Sequence, residues 1–232
     1  MAERTFDDFD EYAKDYRTVH AKNIKVSGAD SFYFAEMKVK LLKEFEKDRT
    51  LKILDVGCGD GITEVFIKQQ FPCWEVSAID ISEKSIEEAK AKNIDADFQV
   101  YNGINIPFTN NTFDIVFMAG VLHHVNFLLH NNLIKEVARV LKNDGNFYFF
   151  EHNPFNPLTK HLVNTCEFDK NAKLLKSNYA TKLLAQNFFT ITNKQFIIFL
   201  PRKGVLSKFI FLEKYLKWLP LGGQYFIVAK KN

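Results

Sequence analysis

The sequence predicts an α/β fold: a mostly parallel sheet of seven strands whose last strand runs antiparallel, preceded by an N-terminal helical cap. Three observations carry this expectation. From residue 51 onward, short apolar runs alternate with amphipathic helical stretches, the pattern of a parallel sheet covered on both faces. The first apolar run passes straight into a turn with three alternating glycines, Gly57, Gly59 and Gly61, and then into a helix. The last run, Tyr225 to Ala229, follows Gly222-Gly223, which suits a strand that reverses direction.

The elements follow in order. Phe6, Phe9, Tyr12, Ala13 and Tyr16 recur at three- and four-residue spacing and make one helical face. Phe34, Met37, Leu41, Leu42 and Phe45 make a second, and Ser27-Gly28-Ala29-Asp30 separates the two. Leu51 to Val56 is a strand, Ile62 to Gln70 a helix ended by Pro72, and Trp74 to Ile79 a strand. Ser82 is an N-cap for a helix over Glu83 to Lys92. Phe98 to Tyr101 and Phe113 to Met118 are strands separated by a polar loop. Leu128 to Leu141 carries a helical apolar face, with Gly145 as its expected stop, before the strand Phe147 to Phe150. Pro154 and Pro157 are read as stiffening a turn. The tail reads as a helix near Lys173 to Ala185, a strand at Phe196 to Leu200, a helix over Leu206 to Leu219 and the closing strand. One domain accommodates all of this: a cap over 1–48, a ligand-binding core over 49–152, and a substrate-side segment with the closing strands over 153–232.

Composition narrows the function classes. Among 232 residues, 47% are hydrophobic and 24 are Phe, enough for one continuous core. The formal charge of +3 lacks the basic excess of a dedicated nucleic-acid binder, although the last thirty residues lean basic, as a solvated surface often does. The three cysteines, Cys58, Cys73 and Cys166, form no CxxC and suggest neither a disulfide framework nor a zinc site. No apolar run reaches the ~18 residues of a membrane span, and the chain opens acidic rather than with a leader. A cytoplasmic setting is the expectation.

The stretch Ile53-Leu54-Asp55-Val56-Gly57-Cys58-Gly59-Asp60-Gly61 carries the chemistry. Glycines let the backbone approach a ligand, and a helix start presents unpaired N–H groups. In an open α/β sheet, ligands sit beyond the carboxyl ends of strands where strand order reverses. A dinucleotide loop needs GxGxxG; here the spacing is GxGxG and Ile62 occupies the third-glycine position. Asp55, before the first glycine, would repel a pyrophosphate but attract a cationic amino group. Asp80 ends the second strand where an acid meets ribose hydroxyls, or else caps the helix after Ser82.

Taken with Ile106-Pro107-Phe108 before Phe113-Asp114, and with Val121-Leu122-His123-His124-Val125, these residues resemble the class I S-adenosylmethionine (SAM)-dependent methyltransferases, most closely the subgroup acting on small molecules. The likeness runs from about residue 50 to 152, with Pro220 to Tyr225 similar to the family's closing segment. It implies a Rossmann-like fold, SAM as cofactor and S-adenosylhomocysteine as product. It also implies that Asp55, Gly57, Cys58 and Gly59 bound the methionine end and that Asp80 takes the ribose. Ile81 would lie on the adenine, Asn102 and the Gly103 N–H would contact its edge, and Ala119 and Gly120 the amino group. Asn102 departs from the family's usual Asp but can still accept a hydrogen bond through its amide oxygen. Tyr16 would reach the cofactor carboxylate from the cap.

Methyl transfer from a sulfonium needs positioning more than acid catalysis; alignment alone can contribute ~7–11 kcal/mol. A base is needed only if the acceptor must lose a proton. His123 and His124 after the fourth strand, and His152 beside Glu151 after the fifth, are the candidates. No metal site is expected. The acceptor expected is an oxygen or nitrogen of a small molecule, under a lid formed by the N-terminal helices and the Asn153 to Tyr179 segment. The alternatives are a tRNA-modifying methyltransferase, a nicotinamide-dependent oxidoreductase, and a SAM-binding protein without catalysis.

Overall fold

A computed structural model describes residues 31–47, 49–166, 169 and 171–232. The expected first helix, around Phe6 to Tyr16, lies outside the described residues. Helix α1 (Ser31–Phe45) turns Ala35, Val39 and Leu42 inward at helical spacing and packs them against the sheet.

Seven strands form one sheet: β1 (Lys52–Val56), β2 (Glu75–Asp80), β3 (Asp97–Val100), β4 (Phe113–Ala119), β5 (Leu141–His152), β6 (Phe189–Ile197) and β7 (Gln224–Lys231). Their order is β3-β2-β1-β4-β5-β7-β6. The first five are parallel; β7 runs antiparallel between β5 and β6. β1 is the switch point, paired on one side through Ile53 to Val76 and on the other through Ile53 to Ile115. The chain winds outward from β1 in both directions, so a crevice opens past the carboxyl ends of β1 and β4.

Helices α2 (Ile62–Gln70), α3 (Glu83–Ala91), α4 (Phe127–Val140), α5 (Pro157–Thr165) and α6 (Ser177–Ala185) cover the two faces. Ser82 caps α3 as expected, its Oγ accepting the Ser85 N–H at 3.1 Å. Asn126 and Asn156 cap α4 and α5 in the same way. Two large core clusters result, with a smaller third one of Cys58, Ala78, Ile86, Ala89 and Phe98 beneath α3. One gathers Val116, Ile134, Val137, Phe147, Phe149 and Ile227 beneath α4 and α6; the other gathers Leu42, Ile53, Ile67, Phe117, Phe150 and Phe226 beneath α1 and α2. The aromatic residues of the central strands are almost wholly buried, each burial contributing about 1.5–3 kcal/mol.

Three local expectations are corrected. Gly145 does not stop a helix; α4 ends at Val140 and β5 starts at once, with Gly145 inside it. A Cβ there would come within 2.9 Å of the Asp114 carbonyl and of the Leu141 side chain, at the point where the β4–β5 register shifts. The glycine admits a close strand approach. Pro157 does not stiffen a turn; it opens α5, where a missing N–H costs nothing. The expected Leu206 to Leu219 helix is a 3-10 stretch, Val205–Leu212, followed by a single α turn, α7 (Glu213–Leu216).

Candidate active site at the carboxyl edge of the sheet

The glycine loop closes the tip of β1. Gly57, Gly59 and Gly61 all have positive φ, at 83°, 55° and 77°. A Cβ on Gly57 would lie 2.3 Å from Val121 Cγ2, and one on Gly61 would lie 2.8 Å from Ala89 Cβ. Those two glycines let the loop pack against its neighbours. Gly59 differs: a Cβ there would meet nothing within 4 Å, because it faces the cavity. The Gly57 and Cys58 N–H groups both donate to the Ile79 carbonyl, which ties the loop to β2.

Asp80 fastens the next turn. One carboxylate oxygen accepts the Gly59 N–H at 2.8 Å and the other accepts the Ser82 N–H at 2.9 Å. Each charge-assisted bond is of the ~1.5–3 kcal/mol kind, so Asp80 holds the loop in place whatever else it binds.

Behind the loop lies an acidic pair. Asp55 and Glu64 are both buried, at 2% and 0% exposure, and Asp55 Oδ1 has no hydrogen-bond partner among the described residues. Burial raises the Asp55 pKa to about 7, the nearby Asp80 charge adding to it and Glu64 and Lys38 opposing it. Burial, with the facing Asp55 charge, pushes Glu64 well above the carboxylate range. The half-buried Lys38 comes in from α1; burial lowers its pKa to about 8 while Asp55 and Glu151 pull it upward.

The opposite wall carries the histidines. His123 Nδ1 lies 2.6 Å from Glu151 Oε2, and both side chains are almost fully buried. Glu151 also accepts the backbone N–H groups of His123 and His152, at 3.3 and 3.2 Å. On its far side His123 Nε2 lies 3.8 Å from Asp169, whose Oδ1 is 3.2 Å from His124 Nε2. Burial opposes the charge on His123, but Glu151 and Asp169 lift its pKa to about 10. His152 stacks edge-on to it at 5.2 Å, and burial plus that imidazolium lowers the His152 pKa to about 4. Asp169 is held far below the usual carboxylate range: burial works against its charge, and hydrogen bonds from His123 and His124 outweigh it. The ligand atoms of His123, His124 and Asp169 lie within 4.8 Å of one another, a spacing that admits a metal ion as readily as this ion-pair network.

A cavity of about 340 Å³ joins the two walls. Of the residues read from sequence, Asp55, Gly57, Cys58, Gly59, Asp80, Ile81, Ala119, Gly120, His123, His124 and His152 all line it. Asn102 and Gly103 do not. The Asn102 amide oxygen instead accepts the Ile104 and Asn105 N–H groups at 2.9 and 2.8 Å, closing its own turn, and Tyr101 lines the cavity in that neighbourhood. Tyr16 lies outside the described residues. Lys38, Tyr101 and Asp169 went unread: a single lysine on an amphipathic helix and an aspartate in a polar loop carry no motif. The Ile198 to Pro201 wall was hidden because the sequence placed Ile198 to Leu200 within a strand that runs only to Ile197.

Residues 53–145 match the family described as "Methyltransferase domain". An uncharacterised protein of Methanocaldococcus jannaschii is 29% identical over 83% of this chain and 79% of its own. A demethylmenaquinone methyltransferase of Thermotoga maritima is 31% identical over 48% of this chain and 47% of its own, so the match spans about half of that enzyme. The matched segment, residues 53–145, is a class I SAM-dependent methyltransferase domain. Among solved structures, a Haloferax volcanii methyltransferase in complex with the Trm112 methyltransferase activator superposes with a TM-score of 0.72 at 17% identity, covering 97% of this chain and 98% of that one, which shows the shared fold.

SAM is the cofactor of this methyltransferase domain, and the cavity suits it. SAM brings two positive groups and no phosphate. The unpartnered Asp55 Oδ1, a carboxyl pair short of positive charge, and a glycine open to the cavity are what such a ligand would satisfy.

Proposed function

We propose that this methyltransferase transfers the SAM methyl group to an oxygen or nitrogen of a small-molecule acceptor held beside the histidine wall. The observation that carries the reading is one cavity lined both by the glycine loop with Asp55 and by the His123, His124 and His152 cluster. SAM, when bound, supplies a methyl group on a sulfonium, open to in-line displacement.

The chain's own residues then have distinct tasks. Asp55 and the loop glycines hold the methionine end, with Ala119 on its amino group, while Asp80 and Ile81 hold the ribose and adenine. Lys38 lies between Asp55 and Glu151 in charge and suits a carboxylate at the methionine end. His123, kept protonated by Glu151 and Asp169, is a positioning residue. His152, kept neutral by burial, and His124, beside Asp169, are the two imidazoles that can take a proton from the acceptor. Phe34, Leu158, Leu162 and Phe199 complete an apolar wall, the usual setting for a small organic ligand. The Thermotoga maritima relative is a demethylmenaquinone methyltransferase, which favours an organic acceptor too.

The test has two arms. Calorimetry should show SAM and S-adenosylhomocysteine binding and NAD not binding; no binding of either SAM compound at millimolar concentration refutes the cofactor roles. Formation of S-adenosylhomocysteine is then followed against a panel of hydroxyl and amine acceptors and against bulk tRNA, with tRNA retention on filters at two salt concentrations. Turnover on tRNA alone refutes the small-molecule reading.

A further inference from the structure

Between β6 and β7 the chain makes an excursion over residues 202–221 that presents an unusual surface. Val205, Leu206, Phe209, Phe211, Leu212, Tyr215, Trp218 and Leu221 are all exposed, Val205 and Trp218 by 73% and 74%. None of the residues of its two helical turns is buried. Scattered apolar residues on a surface are ordinary, but a contiguous run of this size marks a docking face. The same segment holds five basic residues, Arg202, Lys203, Lys208, Lys214 and Lys217, and one acid, Glu213.

The segment is fixed to the body at a few points. Glu213 accepts the Phe199 and Leu200 N–H groups at 2.9 and 2.8 Å and pairs with Arg202 at 2.9 Å. The Lys217 carbonyl accepts the Phe196 N–H at 2.7 Å. These bonds use the only acid and hold the backbone, leaving the aromatic side chains and Lys203, Lys208 and Lys214 facing outward. Both ends of the excursion join the cavity rim. It leaves from Ile198 to Pro201, which line the cavity, and returns at Gly223 and Gln224, which also line it. At the return, Asn156 Nδ2 donates to the Leu221 carbonyl at 2.7 Å, beside the exposed, cavity-lining Leu158.

We infer that residues 202–221 dock on an anionic lipid surface and bring the cavity mouth to it. Aromatic and aliphatic side chains interleaved with lysines suit the boundary between lipid headgroups and acyl chains, and the excess positive charge complements acidic headgroups. The segment lies on a membrane rather than through one: no described helix is long and apolar enough to cross. Under the methyl-transfer reading, which this extension to substrate class rests on, the acceptor is an amphiphile that enters from the lipid with its apolar part against Leu158, Phe199 and Leu200. Docking itself does not depend on that reading.

The two tryptophans make the test direct. Trp74 is 2% exposed and its indole N–H donates to the Arg49 carbonyl, whereas Trp218 is open. The full chain is mixed with vesicles of phosphatidylcholine alone and with vesicles containing one-third phosphatidylglycerol, without SAM or acceptor. Expected are co-sedimentation with the acidic vesicles, weakened by salt, and a blue shift of emission that brominated lipid quenches and that Trp218→Ala abolishes. Lys203→Gln with Lys208→Gln should lower partition roughly thirtyfold, at about 1 kcal/mol for each lysine near the surface. Phe209→Ser with Phe211→Ser should lower it similarly. All these side chains are exposed, so the variants should still bind S-adenosylhomocysteine. Failure to bind acidic vesicles overturns the docking inference, as does binding that these variants leave unchanged, or a self-association that shields Trp218 with no lipid present. Loss of S-adenosylhomocysteine binding by the parent chain would instead overturn the cofactor roles.

Discussion

Replacing Glu151 by Gln should break the charge network of the histidine wall while keeping its shape. Glu151 is 1% exposed, lies 2.6 Å from His123 Nδ1 and accepts two backbone N–H groups. Gln retains one acceptor oxygen and removes the charge. At an effective dielectric of about 20, a unit pair at 4 Å is worth about 4 kcal/mol, or about three pKa units. His123, at about 10 in the parent, should therefore titrate near 7 in the variant, with Asp169 as its remaining acidic partner. The stability consequence has a definite sign. The folded His123 pKa exceeds the unfolded value of about 6.5, so its contribution is complete below pH 6.5 and is lost as pH rises toward 10. The full window corresponds to on the order of 5 kcal/mol. Lys38, whose folded pKa is lowered to about 8, works in the opposite direction over part of that range. The informative quantity is thus the difference between parent and variant. Urea unfolding at pH 6.5, 8 and 10 should show the variant less stable by about 3–5 kcal/mol at pH 6.5, as expected for a broken buried pair, with the gap closing by pH 10. Imidazole NMR gives the His123 titration directly. A parent His123 that titrates near 6.5, or a gap that does not change with pH, refutes the buried imidazolium.

Three further perturbations test the cofactor end. Asp80→Asn keeps the size but removes the charge that anchors Gly59 and would meet the ribose, and should weaken S-adenosylhomocysteine binding by roughly 1.5–3 kcal/mol, read by calorimetry; unchanged affinity in a folded variant would confine Asp80 to capping. Gly57→Ala forces a side chain into a left-handed backbone and 2.3 Å from Val121 Cγ2, costing roughly 2–5 kcal/mol in unfolding experiments; adding Val121→Ala should recover the packing part and leave the backbone part, and no recovery would mean the clash is not the cause. Lys38→Met should raise the Kd for SAM several-fold and spare that for adenosine, since only the former has a carboxylate; an equal effect on both would remove Lys38 from the methionine end.

Much of this was legible because the fold rests on strong local signals. The apolar runs with helical stretches between them placed β1 to β4 and α2 to α4 within a residue or so and found the central part of β5, whose first six residues were missed, and Ser82 capped α3 as its position implies. The loop end of the cavity was legible for the same reason: Asp55, the glycines and Asp80 are neighbours in sequence or end adjacent parallel strands. Elsewhere the signal was spread across the chain. The Glu151 to His123 contact spans 28 residues and the Asp169 contacts more, so no spacing revealed them. Asn102 was misplaced because an Asn in a turn can satisfy its own backbone as well as a ligand. The register of β6 was read late because, as an edge strand, it alternates exposed and half-buried residues and lacks a continuous apolar run until Phe196.

The cavity holds its charges in a particular imbalance. At the histidine wall the two carboxylates share a cation: His123 lies between Glu151 and Asp169, and each carboxylate is stabilised below its ordinary value. At the loop end Asp55, Glu64 and Asp80 face one another with Lys38 as the nearby cation, and Asp55 is raised to about 7. A carboxyl whose folded pKa is raised binds more protons folded than unfolded, so this end should cost stability as pH rises from about 4 to 7. A cationic ligand beside Asp55 reverses that cost, because it lowers the carboxyl's pKa and takes up its unpartnered oxygen. Binding of S-adenosylhomocysteine, which keeps the amino group and lacks the sulfonium, should therefore release protons near pH 7. Calorimetry in buffers of different ionisation enthalpy measures that release. Asp55→Asn should abolish it and flatten the fall in stability between pH 4.5 and 7.5. Proton release that persists in Asp55→Asn, or none in the parent, would show that the acidic pair does not sense the methionine amino group.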